Sequence, residues 1–129
     1  MLSDIVRTDA LTAAPDTSVA SAVDAMRTHG ESFVVVLDEQ RPVGVLSAAD
    51  VGLAVDRDSL STLPAADLVD DPVTIRERAS RAGLLGRFRE TGVERLVVVD
   101  DGDRFVGVVS RRSLLATYAD EFDALFSLL

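Results

Sequence analysis

Cysteine is absent from this 129-residue chain. Disulfides, thiolate metal sites and a cysteine nucleophile are therefore excluded, and the missing staples fit a reducing compartment. Lysine and asparagine are absent as well, so all 13 basic residues are arginine, and they face 22 carboxylates. The formal charge of −9 repels phosphate backbones, which argues against nucleic acid as a partner. No apolar run approaches the roughly 20 residues of a membrane helix. Met1-Leu2-Ser3-Asp4 also lacks the basic stretch and apolar run of a secretory signal, so the expected location is the cytoplasm, with no membrane partner. His29 is the single histidine. Imidazole-rich metal sites and a Ser-His-Asp arrangement have too few donors, and no nucleophile elbow, phosphate loop or dinucleotide glycine fingerprint appears. The acid pairs Asp70-Asp71 and Asp100-Asp101 could bind a hard cation weakly, but they read more readily as solvated turns. Nothing in the sequence supports an enzyme, a metal site or an obligatory cofactor.

The chain does have enough apolar content to fold: 47% of residues are hydrophobic and 27% charged, at a length suited to one compact domain. An all-arginine, aspartate-rich acidic composition resembles the proteomes of salt-accumulating halophilic archaea, with an actinobacterial origin as the alternative. High salt would screen the mutual repulsion of the carboxylates.

The dominant internal feature is a duplication. An offset of 62 places Met26 on Phe88, Gly30 on Gly92 and Asp38 on Asp100, and an offset of 63 places Gly44 on Gly107 and Ser47 on Ser110. The extra residue falls in a turn, Asp38 to Arg41 against Asp100 to Arg104, where insertion costs least. Each half begins with a short extended segment, Ala10 to Ala13 or Pro72 to Ile75. A helix follows, Ser18 to His29 or Arg78 to Thr91. The first opens on Asp16-Thr17-Ser18 and carries Val19, Ala22, Val23 and Met26 at helical spacing. In the second, Ala79, Ala82, Leu84, Leu85 and Phe88 form the apolar stripe, with Arg81, Arg87 and Arg89 on the wet side. Gly30 and Gly92 fit C-caps. Two β-branched runs joined by a polar turn come next, continuously apolar and so expected in a sheet covered on both faces. A closing helix ends each half, Ala48 to Val55 or Arg111 to Leu128. The fold class is therefore α/β (α+β): repeat 1 at residues 1–57, a linker at 58–63 and repeat 2 at 64–129, each a β-α-β-β-α unit.

Gly44-Val45-Leu46-Ser47-Ala48-Ala49-Asp50 joins a strand to the closing helix. It resembles the closing motif of CBS repeats, Gly-apolar-apolar-Thr/Ser-x-x-Asp. Asp4-Ile5-Val6 and Asp67-Leu68-Val69 look like that family's short leading helix, and the resemblance extends over about residues 2–57 and 64–126. It implies two repeats packed through their sheets with pseudo-two-fold symmetry, clefts between them for adenosine-containing ligands (AMP, ADP, ATP, S-adenosylmethionine or NAD), and a disc-like homodimer. A regulatory small-molecule-binding module follows as the expected function. The alternatives are a ligand-free dimerisation or scaffold module, or the regulatory part of a larger enzyme or transporter system acting on an unidentified regulated protein.

The chemistry of the motif can be argued beside the resemblance. A strand running into a helix N-terminus presents amides and a positive dipole end, suited to phosphate. The glycine permits close approach of backbone or ligand. Ser47 can donate to phosphate or ribose, and Asp50 can accept a ribose diol. The same pair also reads as a capping box, Ser47 at N-cap and Asp50 at N3. In the second copy Ser110 keeps the serine position while Ser113 replaces the aspartate, and Arg111 and Arg112 offer guanidinium to phosphate or simply a solvated helical turn. The resemblance adds Thr12, Ala13 and Ala14 with Thr74 on the first strands, and Ser32, Phe33 and Val34 with Arg95 and Leu96 at the starts of the central strands. Phe33 reads more readily as core than as a stacking partner. On the last helix Leu115, Tyr118, Phe122, Leu125, Phe126 and Leu129 form a broad stripe suited to the sheet and to a second copy.

Overall fold

The computed structural model describes residues 4–54 and 59–127, without the side chains at 50, 53, 54 and 124–126. The expectations for residues 55–57 at the end of repeat 1, for the first linker residue, 58, for the side chains of Leu125 and Phe126, and for Leu128 and Leu129 lie outside this set. Among the described residues the named strands form two three-stranded sheets, and the chain divides into two compact units. One unit holds residues 9–72 and 103–105, the other residues 1–8, 73–102 and 106–129.

In the first unit, β1 (Thr12–Ala13) runs parallel to β2 (Phe33–Asp38), and β2 pairs antiparallel with β3 (Arg41–Ser47). Between β1 and β2 the chain forms α1 (Val19–His29). Ser18 caps it by accepting the Ser21 amide at 3.1 Å, and Gly30 ends it in the left-handed region at φ 65°. The β2–β3 turn places Glu39 and Gln40 at φ 50° and 71°, the mirror-image turn that suits the right-handed twist of a hairpin. α2 (Ala48–Ala54) closes the unit. Val19, Ala22 and Met26 of α1 meet Val34, Val36 and Leu46 of the sheet and Val51 of α2 in one core. Phe33 and Val35 alternate with Val34 and Val36 along β2 and are also buried, so both faces of this strand are covered, as its unbroken apolar run requires.

The second unit repeats the plan with β4 (Thr74–Arg76), α3 (Arg81–Thr91), β5 (Arg95–Val99), β6 (Phe105–Ser110) and α4 (Arg111–Ser127). Its core gathers Leu84, Phe88, Leu96, Val98, Val109 and Leu114. α3 begins three residues later than the helical spacing suggests, because Ser80 takes the cap and accepts the Gly83 amide at 3.0 Å. Its wet side also differs from expectation: Ala82 is exposed, whereas Arg81 and Arg87 are half-buried. Arg81 lies 4.3 Å over the Tyr118 ring and pairs with Glu121 of α4, and the Arg87 Nε donates to the Thr74 carbonyl at 3.3 Å. The stripe on α4 divides by direction. Leu114 and Tyr118 pack on the core, whereas Leu115 and Phe122 are 50% and 60% exposed.

Each unit also takes in a segment from ahead of the other repeat. Residues 59–70 complete the first unit: Val45 and Asp70 exchange backbone hydrogen bonds of 3.0 and 3.1 Å across β3. Val19 and Ala20 donate to the carbonyls of Leu63 and Leu60, whose side chains join the core. The stretch expected to be only a linker thus caps α1 from residue 59 onward. A 3-10 turn covers Ala65–Asp67, slightly ahead of the helix expected at Asp67-Leu68-Val69. In the second unit Arg7 and Val108 make the equivalent exchange, at 2.8 and 2.9 Å, and Ile5 and Val6 pack on its core.

Candidate functional site

The repeated strand-to-helix junction is built the same way in both units, and its glycine has a definite structural reason. A Cβ on Gly44 would lie 2.5 Å from the Cβ of Val69 and 3.0 Å from the Asp70 carbonyl oxygen. On Gly107 it would lie 2.7 Å from Val6 Cγ1 and collide with the Arg7 carbonyl. The close approach that the sequence leaves open between backbone and ligand is made here by the leading segment, through a valine side chain and a backbone carbonyl in each copy.

Around Ser47 the sheet register brings part of the expected set together. Phe33 pairs with Ser47 and Val34 with Leu46, and the Ala48 amide donates to the Ser32 carbonyl at 2.9 Å. Ser32, Phe33, Ser47 and Ala48 therefore share one end of the sheet. The first amide of α2 is spent on Ser32, which leaves those of the following residues as the donors a ligand could use. Ser47 is half-buried and Ser32 exposed, whereas Phe33 and Val34 are 4% and 1% exposed, so these two can offer a ligand only backbone. Asp50 stands three residues into the junction, and its side chain lies outside the described atoms.

Thr12, Ala13 and Ala14 fall progressively farther away. β1 is parallel to β2, with Thr12 opposite Val35 and Ala13 opposite Val36. At about 3.3 Å per residue, Thr12 is displaced about 7 Å along the sheet from the Phe33–Ser47 pair, and Ala14 about 13 Å. The residues on the near side are Asp9, Ala10 and Leu11, and Leu11 accepts the Val35 amide at 3.0 Å. Sequence reasoning misses them. Parallel register carries no local signal, so the start of the segment looks no different from its end.

The second copy shows how the junction is capped when the aspartate is replaced. Ser110 accepts the Ser113 amide at 3.1 Å and donates to the Ser113 hydroxyl at 2.9 Å, a closed two-serine cap. The Arg111 amide goes to the Glu94 carbonyl, and its guanidinium pairs with the Glu94 carboxylate at 2.9 Å. Both Arg111 groups are thus engaged locally, while Arg112 is exposed. Arg95 is exposed at the start of β5, Leu96 is fully buried, and Thr74 is half-buried with its carbonyl accepting from Arg87.

A cavity of about 560 Å³ in this unit contains none of the sequence-predicted residues. It lies at the N-terminus of α3, lined by Asp4, Ile5, Ser80, Arg81, Thr117 and Glu121 among others. There the hydrogen bond from Arg81 holds the Glu121 carboxyl below the usual carboxylate range and raises the guanidinium in turn. Among the described residues no group of histidine or carboxylate side chains is arranged to hold a metal ion, and no helix is long and apolar enough to cross a membrane.

Comparison with known proteins agrees with the duplicated architecture. Inosine-5'-monophosphate dehydrogenase of Methanocaldococcus jannaschii is 31% identical over 114 residues, covering 87% of this chain but 22% of the enzyme. A protein of Methanopyrus kandleri is 25% identical over 118 residues, and the chain spans 60% of its length. Among solved structures, the CBS domain of a bacterial CNNM/CorC family Mg2+ transporter in complex with ATP superposes with a TM-score of 0.79 at 21% identity. That match covers 88% of this chain and 83% of the other. A CBS domain protein of Pyrobaculum aerophilum complexed with AMP gives 0.74 at 20% identity, covering 86% and 87%. These likenesses establish a shared fold. The CBS domain family itself matches residues 2–55 and 65–120, so the two repeats are CBS domains and the chain belongs to the family as a tandem pair.

Proposed function

We propose that this CBS pair is a regulatory, non-catalytic module that binds an adenosine-containing nucleotide through the Ser47–Asp50 junction of its first repeat. The observation that carries the reading is the contrast between the two junctions. In the first copy, hydroxyl and carboxylate positions flank a helix N-terminus beside the exposed Ser32, with no arginine at the intervening positions. The second copy has Ser113 in place of the carboxylate, and Arg111 and Arg112 at the intervening positions. The ribose diol is the part of an adenosine ligand that a serine and a carboxylate one turn apart can take, with charge-assisted hydrogen bonds. Solved relatives of the same fold in complex with ATP and with AMP support the ligand class.

In this reading the ligand contacts lie at the Ser47 end of the first unit's sheet, and Arg95, Arg111 and Arg112 belong to the second copy's own junction. Exposed Leu115 and Phe122, two helical turns apart on α4, provide an apolar strip for a homodimer. The module would regulate a partner by binding nucleotide more tightly in one of two states, since equal affinity for both would shift nothing. Its acidic surface suits high salt, in keeping with a halophilic source.

A thermal-shift panel of AMP, ADP, ATP, S-adenosylmethionine and NAD in molar potassium chloride tests the proposal. A ligand at a hundredfold excess over Kd stabilises by about 2.7 kcal/mol. No response to any of them would favour the ligand-free scaffold instead.

A further inference from the structure

The charge of the chain is divided unevenly between its units. Residues 9–72 and 103–105 carry thirteen carboxylates and four arginines, whereas the remainder carries nine of each. The whole formal charge of −9 therefore belongs to the unit that contains Ser47 and Asp50, and the other unit is formally neutral.

The same division appears position by position at the junctions. Ser32, Phe33, Ala48 and Ala49 in the first copy are replaced by Glu94, Arg95, Arg111 and Arg112 in the second. Of the four arginines in the acidic unit, Arg57 lies outside the described residues. Arg41 and Arg104 border the hairpin turn together with Asp38 and Glu39. Arg41 is at the far end of β3, six residues from Ser47 and about 20 Å away. Arg27 is exposed in the last turn of α1, and Glu31 follows the cap of that helix. The junction thus has a hydroxyl and a carboxylate, while α2 and the adjoining end of β3 hold no guanidinium.

From this distribution we infer that the ligand of the Ser47–Asp50 junction carries little negative charge: an adenosine nucleoside or its monophosphate, in preference to a triphosphate. The inference rests on the nucleotide reading above and specifies its ligand. A polyphosphate would have to approach the acidic unit against its field, with no cation on α2 to meet it. At 0.1 M salt the screening length is about 10 Å, and at 1 M it falls to about 3 Å. The repulsion should therefore scale with ligand charge and fade as salt rises.

The test is an equilibrium calorimetric titration of the full chain with adenosine, AMP and ATP, all free of divalent cations, at about 0.1 and 1 M potassium chloride. ATP should tighten about tenfold or more between the two conditions, AMP a few-fold, and adenosine hardly at all. At the lower salt, ATP should be the weakest of the three. The double variant Ala48→Arg with Ala49→Arg places the second copy's cations at two exposed positions of the first. It should tighten ATP about tenfold relative to adenosine at low salt, a gain that fades at about 1 M. ATP binding that outranks AMP and adenosine at low salt, or that weakens with rising salt, would overturn the inference and leave the nucleotide reading standing. Failure of all three ligands to bind would overturn the nucleotide reading itself, and the inference with it.

Discussion

Replacing Gly44 by alanine adds one methyl group at the point where the leading segment crosses β3. The new Cβ would lie 2.5 Å from Val69 Cβ and 3.0 Å from the Asp70 carbonyl oxygen. Both neighbours belong to the backbone or to the root of a β-branched side chain, so neither can swing away. Relief requires residues 69–70 to lift from the strand, which breaks the two hydrogen bonds between Val45 and Asp70. Those bonds contribute about 1 kcal/mol each, and partial loss of Val69 packing about 1 kcal/mol more. The expected cost is about 3 kcal/mol. With an unfolding entropy of about 2.1 cal/mol/K per residue over 129 residues, this lowers Tm by about 11 °C. Gly86→Ala is the control: a Cβ added there, on α3, would have no atom within 4 Å, and the change should stabilise by up to about 1 kcal/mol. Thermal and urea unfolding of both variants in the same potassium chloride buffer would measure the difference. A Gly44→Ala protein within about 0.5 kcal/mol of wild type would refute the reasoning, as would one no less stable than Gly86→Ala.

Further outcomes follow from the same contacts. The fragment 9–72 holds all of the first core and should fold alone, whereas 1–57 lacks Leu60, Leu63, Ala65, Leu68 and Val69 and should not; circular dichroism of the two peptides distinguishes them. Ser80→Ala and Ser18→Ala should each cost about 1 kcal/mol in chemical unfolding through loss of a helix cap. The Glu121 carboxyl is held low by Arg81, so its contribution is present above the ordinary carboxylate range and is lost as pH falls through its folded value. Acid unfolding should therefore show a small difference between wild type and Glu121→Gln at neutral pH that disappears in acid. Ser113→Asp restores the first copy's acid to the second and should add a weaker second nucleotide site, read as a change in calorimetric stoichiometry.

Much of the architecture is legible in the sequence alone. The 62- and 63-residue offsets identify the repeat, and the unbroken valine runs mark strands buried on both faces. Ser18, Gly30 and Gly92 mark helix ends by their conformational chemistry. What escapes the sequence depends on long-range pairing. Apolar spacing extends α3 back to Arg78 because Ala79 continues the stripe, yet Ala79 packs on the core from outside the helix and Ser80 takes the cap. Arg81 reads as a solvent-facing residue, because nothing local shows that α4 brings Tyr118 and Glu121 beside it. Val6 and Val69 share the 63-residue offset of Gly44 and Gly107, a hint at the role of the glycines, but only the fold shows which strand each segment crosses. At the candidate site the Ser47 end is readable from the motif, whereas the direction of β1, which sets Ala14 apart from Ser47, is not.

The most direct test of nucleotide recognition at the first junction is calorimetric titration of wild type and Asp50→Ala with AMP in molar potassium chloride. We predict that wild type binds and that Asp50→Ala, still folded, loses about a hundredfold in affinity or all of it, as expected for removal of a charge-assisted pair to the ribose. A folded Asp50→Ala protein that binds AMP as wild type does would contradict the assignment.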